Sequence, residues 1–393
     1  MLCVLSDFQH IRPRHEIGQE QIQAWLVEAH TRAEQCSINR EVYPDWGVDG
    51  FREELQHKIK RLGLGKERIE NRGIHINDLF HHDWSKMEVY PVSENPHGRG
   101  FAERSAVFDR EVTQIFERFY PENSSMPAHL IHVTCTGYVA PSPAQKLVSL
   151  RKTGLSTTVT HAYHMGCYGS IPAIRMAAGF ATLPSSGPST DIDIVHTEIC
   201  SLHMHPLKHT SEQLLAQSLF GDGFIKYRLN SKETEGSHLK VLALHEETIP
   251  DSMHSMTWCC EDNGLGMTLS KDVPVLIARS IDGYITRLCA LAGCDSADVI
   301  KRALFAIHPG GPKILQHIKT LLSLESNQIE HSVQVLKLFG NMSSATLPHI
   351  WERLLADSHV SHGKPIISLA FGPGLSISGG LFEKGKSKTP KTL

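Results

Sequence analysis

The chain has 393 residues, 40% of them hydrophobic and 21% charged without a long block of one sign, which suits two buried globular domains and excludes a disordered chain. A formal net charge of −3 leaves no overall footprint for nucleic acid or an anionic membrane. Nine cysteines, an odd count without a C-x-x-C pair, predict reduced thiols in a cytoplasmic protein, and the chain has no run of about 18 apolar residues to cross a bilayer.

In chain order, Met1–Leu5 is too short for the apolar core of a signal peptide. Gln19 to Cys36 and Val48 to Leu62 read as amphipathic helices. A buried strand follows at Leu130–Cys135, then a helix near Ala144–Leu150. The strand Thr157–Ala162 runs into Met165-Gly166-Cys167-Tyr168-Gly169-Ser170 and a helix with Pro172 in its first turn. That helix is apolar nearly all round, so it belongs in the core. A loop at Leu183–Thr190 precedes the strand Ile192–Ile199, and the turn-rich Asn230–Gly236 marks a boundary between 1–232 and 233–383.

The second part predicts strands at Leu239–Leu244 and Ser255–Cys260, a helix after Pro274, a strand at Ala303–Ile307 and a helix after Pro312. The turn Phe339–Ser344 opens another helix toward Leu355, and a hairpin carries Ile366–Leu369 and Gly374–Ser378. Residues 384–393 form a basic tail expected to be disordered. Both parts contain a strand, a Gly-polar-x-small-Ser turn and a helix, which hints at duplication.

Cys167 lies where a strand gives way to a helix, and unpaired N–H groups there are expected to lower a thiol pKa. Most cysteines are small core residues, but the flanking Gly166 and Gly169 let backbone and substrate approach closely. His308 ends a strand in His308-Pro309-Gly310-Gly311-Pro312. Asn341 sits at a turn into a helix, where a plain N-cap is the simpler alternative.

Taken together, Cys167, His308 and Asn341 resemble the catalytic set of the type III polyketide synthases. These are chalcone synthase-like enzymes, here of the bacterial type, of the thiolase superfamily. The strings Gly166-Cys167-Tyr168-Gly169, Ile307-His308-Pro309-Gly310-Gly311-Pro312, Gly340-Asn341-Met342-Ser343-Ser344-Ala345 and Phe371-Gly372-Pro373-Gly374 carry the resemblance, in family order. It implies an α/β thiolase fold, five-layered αβαβα, built from two similar halves, and a homodimer. It also implies an acyl-CoA starter loaded on Cys167 and malonyl-CoA decarboxylated beside His308 and Asn341. No metal or redox cofactor is expected.

The resemblance assigns Phe220 as an apolar gatekeeper and puts Met267 where the family has a second aromatic one. Gly372 and Pro373 belong to the cavity turn. Cys135, Cys200 and His203 stand where many plant members have three threonines, and Ala140 replaces a methionine that reaches across the dimer. Lys58, Arg61, Lys66 and Ser343 are the implied coenzyme A contacts, a solvated helix face being the plain alternative for the basic three. His203-x-His205-x-x-x-His209 has a spacing that metal sites use, but no general-base motif accompanies it.

Two relatives of the same fold fit less well. A ketoacyl-carrier-protein synthase normally shows His-Gln-Ala-Asn at the histidine, and a hydroxymethylglutaryl-CoA synthase needs a glutamate upstream of the cysteine. An inactive acyl-CoA-binding homologue is opposed by the presence of all three catalytic residue types.

Overall fold

Ser142 starts a helix because its hydroxyl accepts from the Gln145 amide while the Gln145 side chain accepts from the Ser142 amide, with Pro143 in the first turn. Local signals of this kind recur along the chain. The structure, a computed structural model, describes residues 2–37, 47–183, 190–232 and 236–385. Most of the loop expected at Leu183–Thr190, the middle of Asn230–Gly236 and nearly all of the basic tail lie outside the described residues.

The elements run β1 (Val4–Ile11), β2 (His15–Gly18), α1 (Gln19–Cys36), α2 (Gly47–Arg61), β3 (Asn71–Ile74), α3 (Phe101–Phe119), β4 (His129–Thr134) and α4 (Pro143–Leu150). Then come β5 (Thr158–Tyr163), α5 (Ser170–Phe180), β6 (Ile192–Glu198), α6 (Ser211–Leu219) and β7 (Gly223–Asn230). They are followed by β8 (Leu239–Thr248), β9 (Met256–Glu261), β10 (Gly264–Leu269), α7 (Val273–Leu291), α8 (Ser296–Arg302) and β11 (Leu304–Ile307). The last are α9 (Pro312–Leu321), α10 (Glu330–Phe339), α11 (Thr346–Ala356), β12 (Pro365–Gly372) and β13 (Ser376–Lys384).

Nine strands pair in the order β11-β12-β13-β8-β1-β7-β6-β4-β5. β4 is parallel to β5 and β6, and β11 is parallel to β12; the other pairings are antiparallel. β1 joins the two wings, pairing with β7 along its length and with β8 through Val4–Lys240 and Leu5–Leu239.

Alternation along the strands divides the core into layers. Leu130, Val195 and Phe224 face the outer helices α1 to α4, while their neighbours Ile131, Ile194 and Ile225 face a central layer. That central layer is α5 and α11, whose Ile171, Ile174, Ile350 and Trp351 pack with side chains from both wings. On the far side Phe305, Ile367, Leu369 and Leu381 meet α7 and α9 through Ile277, Ile281 and Leu315. The result is the five-layered αβαβα thiolase fold expected from the sequence. Burial of α5 between two sheet faces explains why it has almost no polar side. Among the described residues no helix is long and apolar enough to cross a membrane.

The sequence reading left nine elements unassigned: β1, β2, β3, α3, α6, β7, β10, α8 and α10. β1 carries Ser6, Asp7, Gln9 and His10 amid its apolar residues, so its pattern is weak although it is the sheet's central link. α3 does show helical spacing, at Val107, Phe108, Val112, Ile115, Phe116 and Phe119, all of them buried.

Candidate active site

Past the end of β5 the chain turns sharply, with His164 at φ 62° and Gly166 at φ 70°, and delivers Cys167 in a single 3-10 turn before α5. The fit around this turn is close. A Cβ on Gly166 would lie 2.9 Å from the Pro373 ring, and a Cβ on Gly372 only 2.0 Å from the Tyr168 ring. The Gly372-Pro373-Gly374 turn therefore packs directly on the cysteine turn.

Asn341 follows Gly340, which has φ 72° and ends α10. Its amide N–H donates to Leu219 O at 3.0 Å and its carbonyl accepts from Gly221 N at 2.9 Å, tying it to the backbone on both sides of Phe220. Its side-chain oxygen accepts from Ser343 N at 2.8 Å, which leaves the NH₂ to serve as a donor, and it stabilises a Cys167 thiolate. His308 ends β11, its amide donating to Leu369 O at 2.7 Å. Among the described residues neither ring nitrogen of His308 has a hydrogen-bond partner, and burial pulls its pKa down to about 3, so the imidazole is neutral.

Cys167, His308 and Asn341 line one cavity of about 470 Å³ together with Leu215, Ile314 and Phe371. Cys167 also lines a second cavity of about 770 Å³, walled by Cys135, Cys200, His203, Ser343, Pro373, Ile74, Leu79 and Met204. Phe220, Met267, Ala216 and Met256 border both. The nucleophile candidate thus stands where two chambers meet, with Phe220 and Met267 beside it.

The resting thiol corrects one expectation. Burial pushes Cys167 up to about 12, and the contacts from Ser343 and Asn341 offset only part of that. Cys167 lies ahead of the first helical residue and out of water, so desolvation outweighs the helix terminus. The resting state is a neutral thiol and a neutral imidazole on the walls of one cavity, and the thiolate requires a proton acceptor.

Behind the sulfur lies a buried polar cluster. Ser343, one of the few non-glycine residues at positive φ (49°), places its hydroxyl 3.7 Å from Cys167 Sγ and 3.0 Å from Cys135 Sγ. Glu198 is fully buried at the end of β6. It accepts from Cys135 N at 3.1 Å, Thr136 Oγ1 at 2.8 Å and the Ser344 hydroxyl. Burial raises the Glu198 pKa, and burial together with Glu198 pushes Cys135 and Cys200 well above the usual thiol range. Both thiols therefore stay protonated and are poor nucleophiles.

His203 is held by both ring nitrogens: Nε2 donates to Thr136 O at 2.8 Å and Nδ1 accepts from Leu265 N at 3.2 Å. His205 donates to Leu265 O at 2.9 Å, while His209 reaches His30 and Glu34. Both ring nitrogens of His203 and Nε2 of His205 are thus taken up by backbone groups, two of them on Leu265, and the ring nitrogens of His209 by His30 and Glu34. Among the described residues no group of three His, Cys, Asp or Glu could hold a metal. Lys58 and Arg61 lie on α2, 3.9 and 3.6 Å from Glu54, and Lys66 lies 3.9 Å from Glu20. Ser343, grouped with them by the resemblance, is instead 2% exposed and sits with the thiols.

Glu198 and Arg72 were not singled out as site residues in the sequence. The signal for Glu198 was a carboxylate near the end of the strand expected at Ile192–Ile199, and every residue of β6 is buried, Glu198 included. For Arg72 it was only a charge beside Gly73 in a short strand.

Residues 240–384 match the family described as chalcone and stilbene synthases, C-terminal domain. The chain is 30% identical over 259 residues to a probable polyketide synthase 1 of Dictyostelium discoideum, an alignment covering 64% of this chain and 8% of that protein. It is 26% identical over 323 residues to the 1,3,6,8-tetrahydroxynaphthalene synthase of Streptomyces coelicolor, covering 80% of this chain and 82% of that enzyme. Among solved structures, the C-terminal type III polyketide synthase domain of Steely1, a type I/III hybrid from Dictyostelium, superposes with a TM-score of 0.77. The identity is 22%, over 98% of this chain and 100% of that one.

Proposed function

The chain is a chalcone synthase-like homologue of the type III polyketide synthases, with their thiolase fold, and from that premise we propose that it condenses malonyl-CoA, round by round, onto an acyl group carried on Cys167. The observation that carries this reading is the meeting of two chambers at Cys167, one holding His308 and Asn341 and the other a wall for an acyl chain.

In loading, the Cys167 thiol gives its proton to His308, the sulfur attacks the starter thioester, and coenzyme A leaves as the thiol. Malonyl-CoA then occupies the smaller chamber. Its carboxylate departs as CO₂, and the bond's electron pair forms an enolate whose oxygen receives hydrogen bonds from the His308 N–H and the Asn341 NH₂. The enolate carbon attacks the acyl-Cys167 carbonyl, a carbon–carbon bond forms, and the thiolate is expelled for another round. Phe220 and Met267 act as the apolar gate between the chambers, where poor solvation of the malonyl carboxylate favours its loss. The sequence needs neither a metal nor a redox cofactor.

The starter is an aliphatic acyl-CoA of medium to long chain, extended about twice and released as a pyrone- or resorcinol-type product. Ile74, Leu79, Met204 and two protonated thiols give the larger chamber weakly polar walls, and both His203 nitrogens are already engaged. Lys58, Arg61 and Lys66 hold the coenzyme A phosphates, and the protein acts as a cytoplasmic homodimer. Incubation with malonyl-CoA and a panel of acyl-CoA starters, read by mass spectrometry, tests the proposal. Products heavier than the starter by decarboxylated malonyl units support it, and the absence of any condensation with every starter overturns it.

A further inference from the structure

Arg72, in β3, is among the largest fully buried side chains and lines the larger chamber. Its Nη1 donates to two carbonyls at once, Gln217 O and Phe220 O, each at 2.7 Å. Its stem lies against Gly340, where a Cβ would come 2.9 Å from Arg72 Cγ and 2.9 Å from Leu219 O. The segment Gln217–Asp222 is thus held between β3 and the Asn341 turn: Asp222 N donates to Gly73 O, and Asn341 bonds on both sides of Phe220.

The guanidinium is incompletely paired. Among the described residues, Nε and Nη2 have no hydrogen-bond partner, and Asp222, whose charge it feels, is already taken by His75 N, Ser201 N and Ser201 Oγ at 2.6, 2.9 and 2.6 Å. Buried Arg104 makes the contrast, because its three nitrogens donate to the carbonyls of Arg99, Leu202, Met204 and His97. Burying a charge with idle donors is costly, and an apolar residue of similar volume avoids that cost. What an apolar residue lacks is the pair of bonds to the C-terminal end of α6, which Phe220 caps.

We propose that Arg72 is a positioning residue: by clamping the Gln217 and Phe220 carbonyls and bracing Gly340, it keeps the Phe220 gate and the Asn341 donor in one register. This rests on the roles given above to Phe220 and Asn341. Loading depends on Cys167 and His308, which follow β5 and β11, whereas decarboxylation depends in addition on the braced segments. A misplacement of about 1 Å can cost about 10²-fold in rate.

The test is the ratio of two rates in Arg72→Met and Arg72→Lys: acylation of Cys167 by a starter acyl-CoA, and CO₂ release from malonyl-CoA. Decarboxylation is expected to fall by roughly 10–100-fold in Arg72→Met while loading falls far less. Arg72→Lys keeps the charge without the planar fork and is expected to fall between. If the methionine variant does not fold, the lysine variant carries the same ratio. Equal loss of both rates in step with the melting temperature, or an unchanged ratio, overturns the proposal. A wild-type protein that neither loads nor decarboxylates overturns instead the functional reading beneath it.

Discussion

The hydroxyl of Ser343 lies 3.7 Å from the sulfur of Cys167, across 176 residues of chain, and it is the largest favourable contact a thiolate there receives. It works against burial, which holds the thiol up near about 12.

Ser343→Ala should therefore raise the Cys167 pKa further. Since the thiolate is the reactive form, the rising limb of Cys167 alkylation by iodoacetamide should move to higher pH, not lower. Peptide mapping across a pH series reads this directly. An unchanged limb would mean that the hydroxyl does not act on the sulfur.

Asn341→Ala should lose malonyl decarboxylation by roughly 10²–10³-fold, as for one lost oxyanion donor, while starter loading persists. His308→Ala should impair both steps, because the buried thiol loses its proton acceptor. Wild-type CO₂ release from the Asn341 variant would remove the amide from the mechanism.

Gly372→Ala should destabilise the fold by about 1–3 kcal/mol, since the added methyl meets the Tyr168 ring 2.0 Å away in a tightly packed turn. Thermal unfolding of the two proteins measures it. Equal melting temperatures would show that the two turns are not packed as described.

The walls of the larger chamber predict a dependence on starter length. If each added CH₂ is buried, it gains about 0.8 kcal/mol, so kcat/KM should climb by roughly fourfold per carbon over several carbons. A preference for coumaroyl- or malonyl-CoA as starter would show that Cys135, Cys200 and His203 do not set specificity.

The sequence was most legible where one element carries its own signal. α1 begins at Gln19 and ends at Cys36 as its periodicity implies, and α5 is as buried as its missing polar face suggests. It was least legible where partners are distant. β1 is a weak pattern that becomes a strand only because β7 and β8 flank it. The Cys135–Ser343 contact spans 208 residues, and no local spacing encodes it. The thiol pKa was misread for the same reason: a turn before a helix is visible in one chain, but the desolvation of Cys167 by packed layers is not.

The most direct test of the account is to expose the protein to a starter acyl-CoA alone, map the acyl adduct by peptide mass spectrometry, and then add malonyl-CoA. The account predicts one adduct, on Cys167, which disappears into a lengthened product on the chase, and no product from Cys167→Ala. An adduct on Cys135 or Cys200 instead, with Cys167→Ala still forming product, would contradict it.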